Sequence, residues 1–482
     1  MFNIRPIGYI VGILIVILGV SMILPLLVDI YFQDDHWKIF GYSSFITIVI
    51  GALLVISCSN SYPTNFSIQQ TFLLTVSIWL ILPIFGSIPF VIGWTNASFI
   101  DSFFESMSGL TTTGATVFKG LEDFPEGLLL WRGLLQWFGG IGIIVVAVIF
   151  LPLLRVGGMQ IFQLDSFNNF GQALPKAKEI AQSVFLIYLG LTISAIIAYL
   201  ASGLRLFDAV VHAMTTISTG GFSNYDESFA HFPMSTEYVC VFFMIASSLP
   251  FIRYVQLTNG NFKAPFFDSQ VRTFFLILII VILMLLIWLI FQGELTFEHA
   301  LRKTVFNGVS ILTGTGYSSD NYMLWGSFPF SVFFIIGLIG GCAGSTTCSI
   351  KVFRFQILFS AISSQIKQMH YSSAVVATRY EGKRVSLDVV SSVIAFFILF
   401  FVTLFLITLA LSATGLDFVT SISGAVSTLA NIGPGLGERI GPIGNYADLN
   451  TAAKLILIFS MFVGRLELMV VYVLFTLTFW RG

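Results

Sequence analysis

The chain has 482 residues, of which 56% are hydrophobic and only 10% are charged. Soluble domains carry about 25% charged residues, so this composition excludes an ordinary soluble domain and indicates an integral membrane protein. The formal net charge of -1 gives the whole chain no electrostatic footprint for nucleic acid. The four cysteines have neither zinc-site nor disulfide-framework spacing, and we expect them to be buried small hydrophobes.

Two long apolar segments come first in the chain. A helix that spans a bilayer needs roughly 20 apolar residues, and Ile7–Ile30 and Phe40–Cys58 both meet this length. We interpret the first as a retained helix, because it lacks the small-residue cleavage site of a signal peptide. Neither segment leads into a polar loop of the kind described below. Residues 1–65 are therefore predicted to form a leading helix pair.

The rest of the chain repeats one order of elements: a spanning helix, a short apolar helix, a polar glycine loop and a second spanning helix. The predicted units are residues 66–160, 161–268, 269–370 and 371–482. The short helices cannot span a membrane and are predicted to be re-entrant; they are Phe99–Leu110, Leu206–Thr216, Phe297–Leu312 and Phe418–Leu429. The predicted spanning segments are Thr71–Ile92, Leu128–Leu154, Ile180–Leu200, Tyr238–Val255, Thr273–Phe291, Phe328 to about Ser363, Val390–Leu411 and Ala452–Phe479.

These segments predict an all-α membrane protein with ten transmembrane helices. In each unit the short helix is followed by small polar residues around a glycine, and these glycines (Gly114, Gly220, Gly316 and Gly433) lie 106, 96 and 117 residues apart by subtraction. Non-helical backbone at membrane depth survives only inside protein or along a water-filled cavity, where its carbonyl oxygens can bind a monovalent cation. The repeat therefore predicts a pore with pseudo-four-fold symmetry, although close helix packing is the alternative use of such glycines.

The predicted filter of this pore consists of four residues from each loop. They are Thr111, Thr112, Thr113, Gly114, Ile217, Ser218, Thr219, Gly220, Thr313, Gly314, Thr315, Gly316, Ala430, Asn431, Ile432 and Gly433.

A glycine-rich stretch interrupts the last helix of the third unit. Residues 340–348 should break that helix and form a flexible flap below the filter, or else a tight helix crossing. The predicted gating residues of this region are Gly340, Gly341, Gly344, Ser345, Thr346 and, on its cytoplasmic side, Lys351.

Two charged residues fall inside the last apolar segment, and charge inside a membrane is costly without a partner or a cavity. We expect Arg465 to project into the pore below the filter and repel cations, with Glu467 or another carboxylate orienting it. The alternative is a structural ion pair between helices. No other intramembrane cluster of His, Asp or Glu was found, and this indicates that the protein is not an enzyme.

The charged loops alternate in sign along the chain. The N-terminus and the links between units carry 14 Lys/Arg and 5 Asp/Glu, whereas the filter-bearing loops and the first link carry 8 and 18; Arg465 and Glu467 complete the totals of 23 and 24. The positive-inside rule then predicts that the links and both termini are cytoplasmic. The acidic outer face would concentrate cations at the mouth, or it is ordinary loop solvation.

The chain resembles the TrkH family of bacterial potassium uptake proteins, within the Trk/Ktr/HKT superfamily, over nearly its whole length. The resemblance is carried by Thr112–Thr116, Ser218–Ser223, Asn431–Gly437, Gly341–Thr346 and Gly464–Glu467. One departure is that Thr346-Thr347-Cys348-Ser349 precedes Lys351, where the family usually has more glycine.

This resemblance implies K⁺ as the ion bound at the filter residues, with no covalently bound cofactor. It also implies a homodimer in the lipid of the bacterial inner membrane, a cytoplasmic nucleotide-binding partner of the TrkA type, gating by the 340–348 loop, and Arg465 as the arginine below the filter. Sodium permeation or sodium coupling is the alternative, and a channel and a symporter both remain open. Glycine at all four filter positions favours potassium, because serine at the first goes with sodium preference in the plant branch.

Overall fold

The computed structural model describes residues 4–59, 67–147, 157–162, 170–293, 296–371 and 376–481. The end of the predicted helix Leu128–Leu154 lies outside these residues. The described chain is almost entirely helical. Its helices are α1 Arg5–Ser21, α2 Ile23–Phe32, α3 Trp37–Cys58, α4 Ile68–Gly86, α5 Ile88–Ile92, α6 Phe99–Leu110, α7 Glu126–Val145, α8 Phe170–Ala201, α9 Leu206–Ile217, α10 Met234–Ser247, α11 Phe251–Thr258, α12 Ala264–Phe267, α13 Ser269–Gln292, α14 Phe297–Leu312, α15 Ser327–Gly337, α16 Val352–His370, α17 Leu387–Ala413, α18 Phe418–Leu429, α19 Thr451–Arg465, α20 Met469–Val473 and α21 Leu477–Arg481.

The chain is a multi-pass membrane protein. Seven helical segments of the described chain are long and apolar enough to cross a bilayer, when α1 with α2 and α4 with α5 count as one each. The number is eight if α10 and α11, which meet at 89°, form one broken span. A two-residue antiparallel ladder, β1 (Arg379–Tyr380) with β2 (Lys383–Arg384), adds a small hairpin to the predicted all-α fold. Arg379 pairs with Arg384, and Tyr380 with Lys383.

Several segments predicted as single helices are broken. The first span divides at Met22, where Pro25 lacks an N–H and its ring would crowd the carbonyl of Ser21, four residues earlier. Further breaks fall at Ser87, between α4 and α5, and at Pro250, between α10 and α11. The largest correction concerns Ala452–Phe479, which is α19, α20 and α21 rather than one helix. In it Glu467 and Leu468 have φ of 60° and 39°, a left-handed conformation that ends α19.

The leading helices pack against each other and against the first unit. A Cβ on Gly12 of α1 would come within 3.0 Å of the carbonyl oxygen of Gly51 on α3, so glycine lets the two backbones approach closely. Asp29 at the end of α2 is fully buried and accepts a hydrogen bond of 2.6 Å from the N–H of Gly127, in the first turn of α7. This contact fixes the leading pair on the N-terminal end of α7.

The four short helices α6, α9, α14 and α18 lie inside the molecule. Each packs between longer helices: α6 against α7 and α19, α9 against α7 and α8, α14 against α10 and α13, and α18 against α17 and α19. Their C-terminal halves are fully buried, and so are most residues of the loops that follow. The fold thus brings the four polar loops to its centre.

Candidate functional site

The four loops leave their helices with the same backbone hydrogen bond. In each, the N–H of the third residue after the helix donates to a carbonyl of the last two turns. These bonds are Thr113 to Ser108 (2.9 Å), Gly220 to Thr215 (2.8 Å), Thr315 to Ser310 (2.9 Å) and Ile432 to Ser427 (2.8 Å). The loops therefore share one conformation, although their sequences differ.

Two residues in each loop have a positive φ, and they define the register between the loops. The second residue after the helix is Thr112, Thr219, Gly314 or Asn431, with φ of 51°, 51°, 69° and 52°. The fourth is Gly114, Gly221, Gly316 or Gly433, with φ of 82°, 78°, 82° and 106°. In the second loop the matching glycine is thus Gly221, and the predicted register with Gly220 was wrong by one residue. Two adjacent glycines look alike in sequence, and only the backbone conformation separates them.

The four loops close into a ring. A Cβ added to Gly114 would meet the carbonyl oxygen of Gly220, in the second loop. Each of the other three fourth-position glycines would likewise meet the next loop: Gly221 the carbonyl of Thr315, Gly316 that of Ile432, and Gly433 that of Thr113. The last contact returns to the first loop, so the backbones surround one axis too closely for side chains at these glycines.

Many carbonyl oxygens of this ring have no hydrogen-bond partner. Among the residues that the structure describes, no donor bonds the carbonyl oxygens of Thr112, Thr113, Gly114, Thr219, Gly221, Gly314, Thr315, Gly316, Asn431 and Ile432. Buried carbonyls are normally paired with protein or water, so such a set requires another partner. A dehydrated monovalent cation bound by several carbonyl oxygens fits this donor set.

A cavity lies on each side of the ring. One of about 120 Å³ is lined by the four fourth-position glycines together with Asp226, Arg132 and the outer loops. The other, of about 30 Å³, is lined by Ser345, Cys348, Lys351 and Arg465, which belong to the predicted gate. The ring thus separates the two cavities, which we call the outer vestibule and the inner cavity after the orientation predicted from the sequence.

In the first three units, a side chain of the short helix contacts the segment that follows the polar loop. Five residues before the helix end stand Glu105, His212 and Asn307. Glu105 accepts from the N–H of Val117 at 3.0 Å, and His212 Nε2 lies 3.1 Å from Ser223 Oγ. Asn307 Oδ1 accepts from the N–H of Ser319 at 3.2 Å. The fourth helix has Gly424 at this position.

The first unit holds a buried ion pair that the sequence reasoning missed, and its arginine also bonds the second unit. Arg132 Nε donates to Glu105 Oε1 at 2.9 Å, and its Nη1 donates to the carbonyl of Ser223 at 2.7 Å. The guanidinium carbon also lies 4.2 Å from the centre of the Phe222 ring. The sequence holds the signal, since Arg132 stands in an apolar segment and Glu105 in a re-entrant helix. The charge count from the sequence includes both residues among the charges of the filter-bearing loops.

Some of the charges that the sequence places in the filter-bearing loops are therefore paired within the protein. Besides Glu105, the buried Glu237 pairs with Arg302 (2.5 Å) and Lys303 (3.0 Å). Among the exposed carboxylates, Asp448 lies 2.8 Å from Lys119, whose hydrogen bond holds the pKa of Asp448 below its ordinary value. Part of the acidic surplus predicted to attract cations is thus neutralised by local partners.

The 340–348 stretch is a loop between α15 and α16, as predicted. It packs into the break between α10 and α11, where Cys342 N–H donates to the Ser248 carbonyl at 3.1 Å and Phe251 N–H to the Gly344 carbonyl at 2.9 Å. Thr346 Oγ1 donates to the Ser247 carbonyl at 3.0 Å. The loop is therefore held by backbone groups that the helix break exposes.

Arg465 lies below the ring and is 1% exposed. It donates to the carbonyls of Gly139 (3.0 Å) and Thr346 (3.5 Å), and Nη1 lies 2.5 Å from Cys348 Sγ. Glu467 instead accepts from Arg354. The expectation that Glu467 orients Arg465 is therefore wrong. The described contacts of Arg465 are to backbone oxygens, to sulfur and to the ring of Trp79, whose centre lies 5.5 Å from the guanidinium carbon.

Lys351 is the second cation beside the inner cavity. Its Nζ donates to the carbonyl of Thr347 and, at 3.0 Å, to Thr347 Oγ1. Arg465 and Lys351 thus both line the cavity, together with the loop residue Cys348.

Comparison with known proteins gives matches along the whole chain. Residues 36–480 match the TrkH family, described as cation transport protein. The chain is 40% identical to the Trk system potassium uptake protein TrkI of Halomonas elongata, over 99% of this chain and 97% of that protein. It is 33% identical to the Trk system potassium uptake protein TrkH of Escherichia coli K12, over 99% of both.

Comparison of the three-dimensional fold with solved structures also finds a TrkH protein. The crystal structure of the potassium transporter TrkH from Vibrio parahaemolyticus superposes with a TM-score of 0.92 and 33% identity, covering 99% of this chain and 100% of that one. With the family match and these relatives, the chain belongs to the TrkH family of cation transport proteins.

Proposed function

We propose that this protein takes up potassium ions across the bacterial inner membrane through the ring of four loops. The observation that carries the proposal is the closed ring of unpaired backbone carbonyl oxygens between two cavities. Relatives over the full length of the chain are potassium uptake proteins by name. The protein acts as a transporter and not as an enzyme.

The ring selects the ion by replacing its water. Carbonyl oxygens from four loops take the place of the hydration shell of K⁺, and the fold holds them before the ion arrives. The four short helices end at the ring, so the partly negative ends of their dipoles favour a cation there. K⁺ enters from the outer vestibule, crosses the ring and reaches the inner cavity.

The inner cavity is the gate. Arg465 and Lys351 place two positive charges at this cavity, where the lining carboxylate Glu467 is paired with Arg354, and the loop between α15 and α16 fills the space beside them. Cations are repelled at this point unless the loop and Arg465 move. Loop movement is controlled by a cytoplasmic nucleotide-binding partner of the TrkA type, and the protein works as a homodimer with one pore per protomer.

The chain has ten membrane crossings in a leading pair and four units, at residues 1–65, 66–160, 161–268, 269–370 and 371–482. The broken spans count as crossings in this scheme: α10 with α11, α15 with α16, and α19 with the short helices after it. Both termini and the links between units are cytoplasmic, because the links carry the basic surplus.

Cation flux into liposomes that hold the purified protein tests the proposal. Gradients of K⁺, Rb⁺, Na⁺ and Li⁺ are compared, for the intact chain and for Arg465→Ala, which removes the barrier charge. Uptake of K⁺ and Rb⁺ well above Na⁺ supports the proposal. Equal or preferred uptake of Na⁺ would favour the sodium-permeable alternative, and no flux from either protein would reject the pore.

A further inference from the structure

A glutamine from the first unit lies behind the second loop. Gln136 of α7 is fully buried, and its Nε2 donates to the carbonyl of Gly220 at 2.6 Å. Its Oε1 accepts from the N–H of Phe222 at 3.1 Å. One carboxamide therefore holds the loop on both sides of Gly221, the glycine that contacts the third loop.

The first and third loops are held differently at this level. There the third residue after the short helix is a threonine, whose hydroxyl bonds the threonine two residues earlier. The distances are 2.7 Å for Thr111 and Thr113 and 2.8 Å for Thr313 and Thr315. In the second loop Ser218 supplies the earlier hydroxyl, but Gly220 has no side chain to meet it.

Lack of space for a side chain, and not backbone conformation, explains why residue 220 is a glycine. Gly220 is absent from the residues with positive φ, so an L side chain fits its backbone. A Cβ at Gly220 would instead collide with the carboxamide of Gln136. The amide therefore occupies the volume that the threonine side chain takes in the first and third loops.

The fourth unit shows that a glutamine is not required by the helix packing itself. A Cβ on Gly139 of α7 would meet the Leu110 carbonyl, and a Cβ on Gly464 of α19 would meet the Leu429 carbonyl. Gly139 and Gly464 therefore occupy matching positions in α7 and α19. Three residues before each glycine stand Gln136 and Met461, which also match. Methionine has no hydrogen-bond donor in its side chain, so the matching position of the fourth unit cannot make this polar contact.

We infer that Gln136 is a specificity-determining positioning residue, which fixes the Gly220 carbonyl in the ring and replaces the threonine hydroxyl that this loop lacks. The inference rests on the proposed function, since it assigns the ring to ion selection. Removing a buried hydrogen bond that fixes one loop of the ring should blur the discrimination between ions of different size.

The test measures the ratio of K⁺ to Na⁺ uptake in liposomes for the full chain and its variants. Gln136→Ala and Gly220→Thr should each lower this ratio about tenfold, the first by loss of the hydrogen bonds and the second by collision with the amide. The double variant Q136A/G220T should recover most of the ratio, because the new threonine fills the space and can bond Ser218. Gln136→Met, which keeps the volume without a donor, should behave like the alanine variant even if the latter folds poorly.

The outcomes separate this inference from the proposed function. A normal ratio in Q136A and Q136M, with a lowered ratio in Gly114→Ser, would overturn the role of Gln136 and leave the pore in place. Normal ratios in all three variants would count against the ring as the selective element. If the double variant has a K⁺ to Na⁺ ratio no higher than that of the two single variants, a threonine in the loop does not replace the role of Gln136. A purely structural role would reduce the amount of folded protein without changing the ratio.

Discussion

At the residue scale, the ring depends on four glycines in a left-handed conformation, each in contact with the backbone of the next loop. A side chain there is disfavoured twice, by φ and by the neighbouring carbonyl. The structure assigns Gly221 to this set and gives Gly220 a different role. Substitutions at these two neighbours should therefore act through different causes.

The first prediction concerns Gly114 and Gly221. Replacing either with serine should weaken discrimination of K⁺ over Na⁺, since the new Cβ pushes the ring carbonyls apart. The ratio of K⁺ to Na⁺ flux in liposomes measures this. Gly120→Ser is the matched control, because Gly120 also has a positive φ (68°) but its Cβ would lie no nearer than 3.9 Å to another group. Unchanged selectivity in the serine variants would remove these glycines from the filter.

The second prediction concerns Arg465. Arg465→Ala should raise K⁺ flux through the protein alone, because it removes a buried charge from the inner cavity. Arg465→Lys keeps the charge and should stay close to the original flux. Loss of monodisperse protein in the alanine variant would show instead that the bonds to Gly139 and Thr346 serve mainly to hold the fold.

At the element scale, the gate is a loop held by its own side chains. Thr347 Oγ1 bonds Lys351 and lies 2.7 Å from Ser345 Oγ. Ser349 Oγ donates to the carbonyls of Gly337 (3.0 Å) and Ala430 (3.2 Å). Together with the contact between Cys348 and Arg465, these bonds hold residues 347–349 in place before Lys351. The loop of this chain should therefore be harder to move.

The third prediction follows from those side chains. The variant T347G/C348G/S349G should conduct more K⁺ without a partner protein, since it loses the contacts and gains backbone freedom. Hydrogen exchange of residues 340–351 should become faster in the same variant. Thr258→Gly, at the end of α11 and away from the cavity, is a control for the effect of glycine itself. Equal flux in the triple variant and the original chain would contradict a loop held shut by these contacts.

At the scale of the whole molecule, side chains from one unit bond groups of the next unit around the axis. Arg132 of the first unit bonds the second loop, and Lys454 of the fourth unit donates to Asp101 of the first at 2.6 Å. Such pairs keep the four units in register around the axis. Since the pairs are buried or partly buried, salt should screen them less than the exposed pairs of the outer loops.

The fourth prediction is one of stability. Arg132→Ala should lower the free energy of unfolding by about 3–5 kcal/mol, because Glu105 is left buried without its cation. Thermal unfolding of the purified protein in detergent measures this. The double variant E105L/R132M should lose less stability than Arg132→Ala. Lys119→Ala, which breaks an exposed pair, should leave the unfolding temperature nearly unchanged.

The fifth prediction tests orientation. Gly260 and Gly415 are matched sites: both have φ near 90°, and neither has a neighbour within 4 Å of a Cβ. In intact cells, a membrane-impermeant thiol reagent should label Gly415→Cys but not Gly260→Cys, when the parent chain is the blank. Labelling of Gly260→Cys from outside would reverse the proposed topology.

The sequence alone determined the membrane class, the short re-entrant helices and the four polar loops, because these depend on hydrophobic length and on glycine content. Three of the short helices have the predicted bounds, and the fourth, α9, ends one residue later than predicted. The same local signals located the helix break at residues 340–348. Helix length and turn chemistry act over a few residues, so they can be read without the rest of the fold.

Other features were decided only by the tertiary structure. The register of the second loop depends on which of two adjacent glycines takes positive φ, and contact with the third loop selects Gly221. The break after Arg465 and the partners of Arg132, Gln136 and Glu467 depend on groups that are distant in sequence. Hydropathy depends only on the composition of a segment. The free-energy cost of a buried charge or amide is offset by the groups that the fold places beside it, and these are distant in sequence.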